Sequence, residues 1–150
     1  LAASLPYSPL TDDQIRGVLD VVKRDLLTPR GLRSLSPKDP NYQGIYQGTQ
    51  SQRRQAYHQG SVWPWLLGHY VEAYLKVNER EKALPYVTSL YRAFEEVMPE
   101  HGISTISEIY DGDYPHAPRG AISQAWNVAE IIRTGKLIEE YDQATQPVTL

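Results

Sequence analysis

The sequence has no cysteine, one phenylalanine and one methionine in 150 residues. Without cysteine there is no disulfide, no thiolate metal site and no cysteine nucleophile. No stretch approaches the roughly 18 uninterrupted apolar residues that a membrane helix needs, so no membrane partner is expected. The net charge is -3 and no block of Lys and Arg interrupts it, which leaves no electrostatic footprint for nucleic acid. Neither a GxGxxG nor a GxxxxGKS/T phosphate loop is present. His58, His69, His101 and His116 show no metal-ligand spacing, and no aspartate run follows the EF-hand pattern. Ser61 and Ser123 lack the nucleophile-elbow pattern of serine hydrolases. These patterns call for no metal and no cofactor.

What is present is an aromatic excess with polar handles: 11 Tyr and 3 Trp. Apolar residues at 41% and charged residues at 22% are ordinary globular values. A chain of this length suits one domain whose core could bury roughly 68–70% of the unfolded surface. It starts at Leu1, has no basic and apolar leader, and reads straight into structured sequence. The expectation is a piece of a longer polypeptide.

The helical pattern has four main members. Residues 1–10, with Pro6 and Pro9, read as an extended lead-in. Thr11 and Gln14 form a capping box, and Ile15, Val18, Leu19, Val22 and Leu26 follow at helical spacing until Pro29 and Gly31 stop the run. From Pro29 to Val62 no helical period survives, which is long for a loop in a compact domain and marks it as functional. A second helix is expected from Pro64 to Val77, apolar around its whole circumference and therefore buried. After a break at Asn78, a third, amphipathic helix runs from Glu79 to Val97, with Pro85 kinking it or marking its true start. A second long loop, residues 99–120, leads into a fourth helix from about Ala121. Its core face is read as Ile122, Ala125, Trp126, Ala129 and Ile132, with Gly135 breaking it before a last segment, Lys136 to Tyr141. The tail with Pro147 is expected to fray. Apart from β-prone pieces such as residues 102–109, no strand signal survives. The class is all-α, with two long loops at one end of a helical layer.

Three clusters could carry chemistry. In Tyr57-His58-Gln59-Gly60-Ser61-Val62-Trp63-Pro64-Trp65, the aromatics form either a pocket wall that stacks on a ligand or a packed helix start. In Ser107-Glu108-Ile109-Tyr110-Asp111-Gly112-Asp113, three carboxylates fall within six residues. Asp111 and Asp113 flank Gly112 like a turn and read equally as a solvated acidic loop. Glu108 sits between Ile106 and Ile109, an apolar setting that makes it the candidate acid or base. In the third cluster, Pro118-Arg119-Gly120-Ala121-Ile122-Ser123-Gln124-Ala125-Trp126, Arg119 is read as a clamp for these carboxylates, and Trp126 as core packing.

The same residues carry a resemblance. Leu26-Leu27-Thr28-Pro29-Arg30-Gly31-Leu32-Arg33 resembles a segment of bacterial glycogen debranching enzymes. So does Ala56-Tyr57-His58-Gln59-Gly60-Ser61-Val62-Trp63-Pro64-Trp65-Leu66. So do Ser107-Glu108-Ile109-Tyr110-Asp111-Gly112-Asp113-Tyr114-Pro115-His116, Pro118-Arg119-Gly120 and Gln124-Ala125-Trp126. Ordered blocks over most of the chain make the likeness specific. The resemblance implies the C-terminal part of an amylo-α-1,6-glucosidase domain, residues 1–150 being about a third of an (α/α)6 toroid. It implies inverting hydrolysis of the α-1,6-linked glucose stub at a glycogen branch, a cytoplasmic setting, and a glucan partner such as glycogen or limit dextrin. By position Glu108 is implied as general base. Tyr57 and Trp63 line the sugar subsite, while His58, Asp111 and Arg119 bond sugar hydroxyls or brace the loop. No segment matches the family's general acid, so the rest of the parent polypeptide is the expected partner and the isolated chain is expected to be inactive. Two rival readings are a non-catalytic α-glucan-binding domain and a helical interaction module that self-associates through exposed apolar faces.

Overall fold

A computed structural model describes residues 1–144. A 3-10 turn at Ala2–Ser4 stands where an extended lead-in was expected. Helix α1, Asp12–Asp25, starts at the expected capping box: Thr11 accepts from the Gln14 N–H, and Gln14 accepts from the Thr11 N–H. Ile15 and Leu19 are its buried residues. Strands β1, Leu27–Thr28, and β2, Gly31–Arg33, form a hairpin across Pro29. Helix α2, Gln50–His58, lies in the stretch that shows no helical period. Strand β3, Val62–Trp63, leads through Pro64 into helix α3, Leu66–Val77. Helix α4, Arg80–Arg92, follows after Asn78 and contains Pro85, so that proline does not mark its start. Strands β4, Ile109–Tyr110, and β5, Pro118–Arg119, precede helix α5, Ala125–Gln143. The expected fraying around Pro147 lies outside the described residues.

Helix α3 is the centre of the molecule. Leu67, Tyr70, Val71, Ala73, Leu75 and Val77 are buried, as an all-round apolar helix requires. It packs against α1, α4 and α5, and with α4 it forms the expected helical hairpin. Each fully buried Leu or Val side chain contributes about 1.5–3 kcal/mol, so α3 is the largest single source of cohesion. Gly68 allows α5 to come close. A Cβ there would stand 2.5 Å from Glu130 Oε2 and 3.0 Å from the Oγ1 of the buried Thr134.

Three expectations need correction. The protein is helix-rich, as expected, but not purely helical. The strands form one five-stranded antiparallel sheet in sequence order, with Leu32 opposite Trp63 and Val62 opposite Tyr110. Gly135 does not break α5, which runs 19 residues, and the helix starts at Ala125 rather than Ala121. Its inward face is also different. Asn127, Ile131 and Thr134 are buried, whereas Ile122, Trp126 and Ile132 are 52–56% exposed. Polar Asn127 and Thr134 tolerate burial because their hydrogen-bonding groups are satisfied, Thr134 by the Glu130 carbonyl at 2.6 Å.

The two long loops meet, as their positions before helices suggested. Gly112 N–H donates to the Gly44 carbonyl at 2.6 Å, while within the first stretch Gln43 N–H donates to the Gln59 carbonyl at 2.6 Å. Arg33 Nε donates to the Gly112 carbonyl at 2.8 Å. Among the described residues, no helix is long and apolar enough to cross a membrane.

Candidate active site

Tyr57 occupies the last turn of α2, which starts at a second capping box, Thr49 with Gln52. Its hydroxyl donates to Glu108 Oε1. The other carboxylate oxygen, Oε2, accepts the Ala121 N–H at 2.8 Å. The Glu108 N–H in turn donates to the Ala121 carbonyl at 2.9 Å, just beyond the paired Ile109 and Arg119. Glu108 is therefore held at both oxygens and at its backbone, yet remains partly exposed. Gly120, in the left-handed region at φ 69°, closes over it. A Cβ there would lie 2.4 Å from Glu108 Oε2 and 3.0 Å from its Cβ. Only glycine fits this turn without displacing the carboxylate.

Burial, followed by the hydrogen bond to the Glu108 carboxylate, pushes the Tyr57 phenol far above its ordinary value. It stays protonated at any working pH and remains a donor. Tyr57 sits edge-on to Trp63, with centroids 4.8 Å apart, and edge-on to His58 at the same distance. His58 and Trp63 lie nearly parallel, 7° apart. The buried Trp63 satisfies its indole N–H on the Tyr57 carbonyl at 3.2 Å. Trp63 is thus at once packed helix start and pocket wall, the two readings its sequence left open. His58 is exposed beside it. These four side chains form one constellation.

Asp111 and Arg119 stand apart from it as a clamp. Asp111 is 2% exposed, and its Oδ2 accepts from Arg119 Nε at 3.0 Å and Nη2 at 2.8 Å. Its Oδ1 accepts the Tyr46 N–H at 2.8 Å. The pair ties β5 and the first long loop to the end of β4. Asp111 is no solvated turn residue, whereas Asp113 is exposed and accepts the Tyr42 hydroxyl at 2.9 Å. Burial and that carboxylate push the Tyr42 phenol up to about 12.

Asn127 is the residue that sequence reasoning missed. It is fully buried in the first turn of α5. Its Nδ2 donates to the carbonyls of Ser107 at 2.7 Å and Glu108 at 2.8 Å. Its Oδ1 accepts the Trp65 N–H at 3.1 Å. One amide thus fixes the Glu108 backbone against the starts of both α3 and α5. A signal did exist, a polar amide at a helical position one turn before Ile131.

A carboxylate fixed by a phenol and a peptide N–H, beside a wall of indole and imidazole, suits activation of water next to a neutral hydroxylated ring. The model of one family, amylo-alpha-1,6-glucosidase, matches residues 1–133. The chain belongs to this family. The family points to a glycoside hydrolase of the glycogen-debranching type. All six sequence-expected site residues fall inside the matched span.

Proposed function

We propose that this chain forms the C-terminal part of an (α/α)6 toroid and supplies the general base of an inverting α-1,6-glucosidase. Glu108 accepts the proton of the water that attacks the anomeric carbon of the glucose stub on glycogen or limit dextrin. Tyr57 holds the carboxylate, Trp63 and His58 border the sugar, and Asp111 with Arg119 braces the loop that carries Glu108. Inversion requires a second carboxyl as acid, about 6.5–9.5 Å from the base, with room for the water between them. We assign that acid to another part of the parent polypeptide. The substrate agrees with a cytoplasmic setting.

The observation that carries this reading is the support of Glu108 from both sides, by Tyr57 and by the Ala121 N–H at 2.8 Å, directly beside the aromatic wall. The family match supports the reaction type. The test compares the parent enzyme with its Glu108→Gln variant on a glucosyl-branched limit dextrin, following free glucose and the anomer released first. The expected result is a loss of roughly 10³-fold or more at unchanged circular dichroism, with β-glucose appearing first in the wild type. A variant that keeps its rate refutes the assignment of Glu108.

A further inference from the structure

At the opposite end of α3 from Trp63 and Trp65, a cavity of about 160 Å3 opens between α1 and α3. From Trp65 to Asn78 the helical rise covers about 20 Å, so the cavity is remote from the Glu108 constellation. It is smaller than the roughly 300–1,000 Å3 of drug-sized sites and suits a small metabolite. Arg16, Asp20 and Lys23 line it from α1, and Tyr70, Tyr74 and Asn78 from α3 and its end. Asp20 has three basic side chains within reach on its own helix, Arg16, Lys23 and Arg24. None of them pairs with it. Arg16 Nη1 donates to Asp13 Oδ1 at 3.0 Å, and Nη2 donates to the Val77 carbonyl at 2.8 Å, which satisfies the end of α3. Arg24 donates to both oxygens of Asp25, at 3.1 and 2.9 Å. Lys23 Nζ stands 4.6 Å from the centroid of the Tyr86 ring. Among the described residues, the Asp20 carboxylate and the Lys23 ammonium therefore have no ion pair. Asn78 Nδ2 donates to the Tyr74 carbonyl at 2.9 Å, which leaves its Oδ1 as an acceptor.

We infer that this cavity binds a small α-amino acid in its zwitterionic form, with Asp20 and Asn78 Oδ1 accepting from the ammonium and Lys23 donating to the carboxylate. Three features point there. First, the two free charges are of opposite sign and one helical turn apart, and an α-amino acid carries its own two charges on neighbouring atoms. An anion alone would face Asp20, and a cation alone would face Lys23 and Arg16. Second, the ammonium side of the cavity is favourable in its own right. It has tyrosine ring faces and the C-terminal end of α3, where the helix dipole attracts positive charge. Third, the aromatic side is held in place before any ligand arrives. The Tyr74 and Tyr86 rings lie 4.7 Å apart, and the Tyr70 and Tyr86 hydroxyls are 3.1 Å apart. An ammonium has three donors, so Lys23 can bond a carboxylate while it stays over Tyr86. A ligand so held bridges α1 to the end of α3, and Glu108 plays no part in it.

The test is an amide chemical-shift titration of the 150-residue chain with glycine, L-valine and L-glutamine, which span the sizes the cavity admits. At least one should give saturable shifts at the amides of residues 16–23 and 74–78 while residues 57–63 stay still. The amino acid that binds is then compared with its amide, which keeps only the ammonium, and with its deaminated acid, which keeps only the carboxylate. Each should bind about tenfold or more weakly, as should the parent amino acid to Asp20→Asn and to Lys23→Gln. Both substituted side chains are exposed, so the variants should fold, and circular dichroism checks this. No saturable shift with any of the three amino acids overturns the inference. So does unchanged affinity in either variant, or saturation confined to residues 57–63. An amide that binds as tightly as its amino acid makes this a cation site, and an equally tight deaminated acid makes it an anion site. Either result also overturns the zwitterion assignment.

Discussion

At the residue scale, the chemistry rests on groups whose partners come from distant parts of the chain. Glu108 was legible because a carboxylate between Ile106 and Ile109 is costly unless it has a purpose. Tyr57 and Trp63 were legible as an aromatic cluster at a helix start. Asn127 was not, because a lone Asn in a helix reads as surface until its neighbours in space are known. Three groups depend on it, the Trp65 N–H and the Ser107 and Glu108 carbonyls. Asn127→Ala strands all three, and each unsatisfied buried group costs about 1–3 kcal/mol. A loss of at least about 2 kcal/mol in urea denaturation is expected. Asn127→Asp should do no better, because its carboxylate keeps the bond to Trp65 but faces two carbonyls with no proton to offer. A loss below about 0.5 kcal/mol in both variants would show the amide to be a bystander.

At the scale of elements, legibility followed length and periodicity. α1 and α3 have apolar spacings that a periodicity reading finds. α2 has only Ala56 fully buried, and its nine residues are otherwise largely polar, so no period betrays it. Its one local signal is Thr49-Gln50-Ser51-Gln52, the same box that announces α1. The strands escape detection because each holds only two or three residues and its partner lies far along the chain, as Leu32 opposite Trp63 illustrates. α5 shows the opposite failure, a readable apolar stripe that faces outward. The cap of α2 matters because the Tyr57 hydroxyl reaches Glu108 from that helix's last turn. Removing it with Thr49→Ala should cost α2 about 1 kcal/mol. Native-state hydrogen exchange should then speed up by about fivefold at the amides of residues 52–58 and leave α3 unchanged. Uniform acceleration across the chain would mean that α2 opens only with global unfolding.

At the scale of the whole molecule, what joins the parts is a line of contacts from the 3-10 turn through α3 to α5. His69 stands in the middle of it. Its Nδ1 is 2.9 Å from the Ser4 hydroxyl, its ring meets Trp65, and Glu72, Glu130 and Arg133 lie around it. Burial, the largest influence, holds His69 below its ordinary 6.5, although the two glutamates pull it upward. On unfolding, the freed imidazole takes up a proton near 6.5 that the folded one resists. Between the folded and unfolded values the unfolded chain therefore binds more protons, and stability rises with pH. The His69 contribution is complete above about pH 6.5 and is lost as the pH falls toward the folded value. Carboxylates act in a lower window. Lys82 holds Glu79 below its ordinary 4.5, and Arg24 with Lys38 holds Asp25 at about 2 against an ordinary 3.8. Their contributions are lost only as the pH drops through about 4.5 and below. Melting temperature measured from pH 7 to 5 thus lies above the carboxylate window, and a His69 variant separates His69 from the other three histidines. The wild type should melt progressively lower across that range, while His69→Gln, which keeps a hydrogen-bonding group near Ser4 but does not titrate, should give a flatter line. Equal slopes in the two proteins would assign the acid sensitivity to another group, and would detach His69 from the joint between the first turn, α3 and α5.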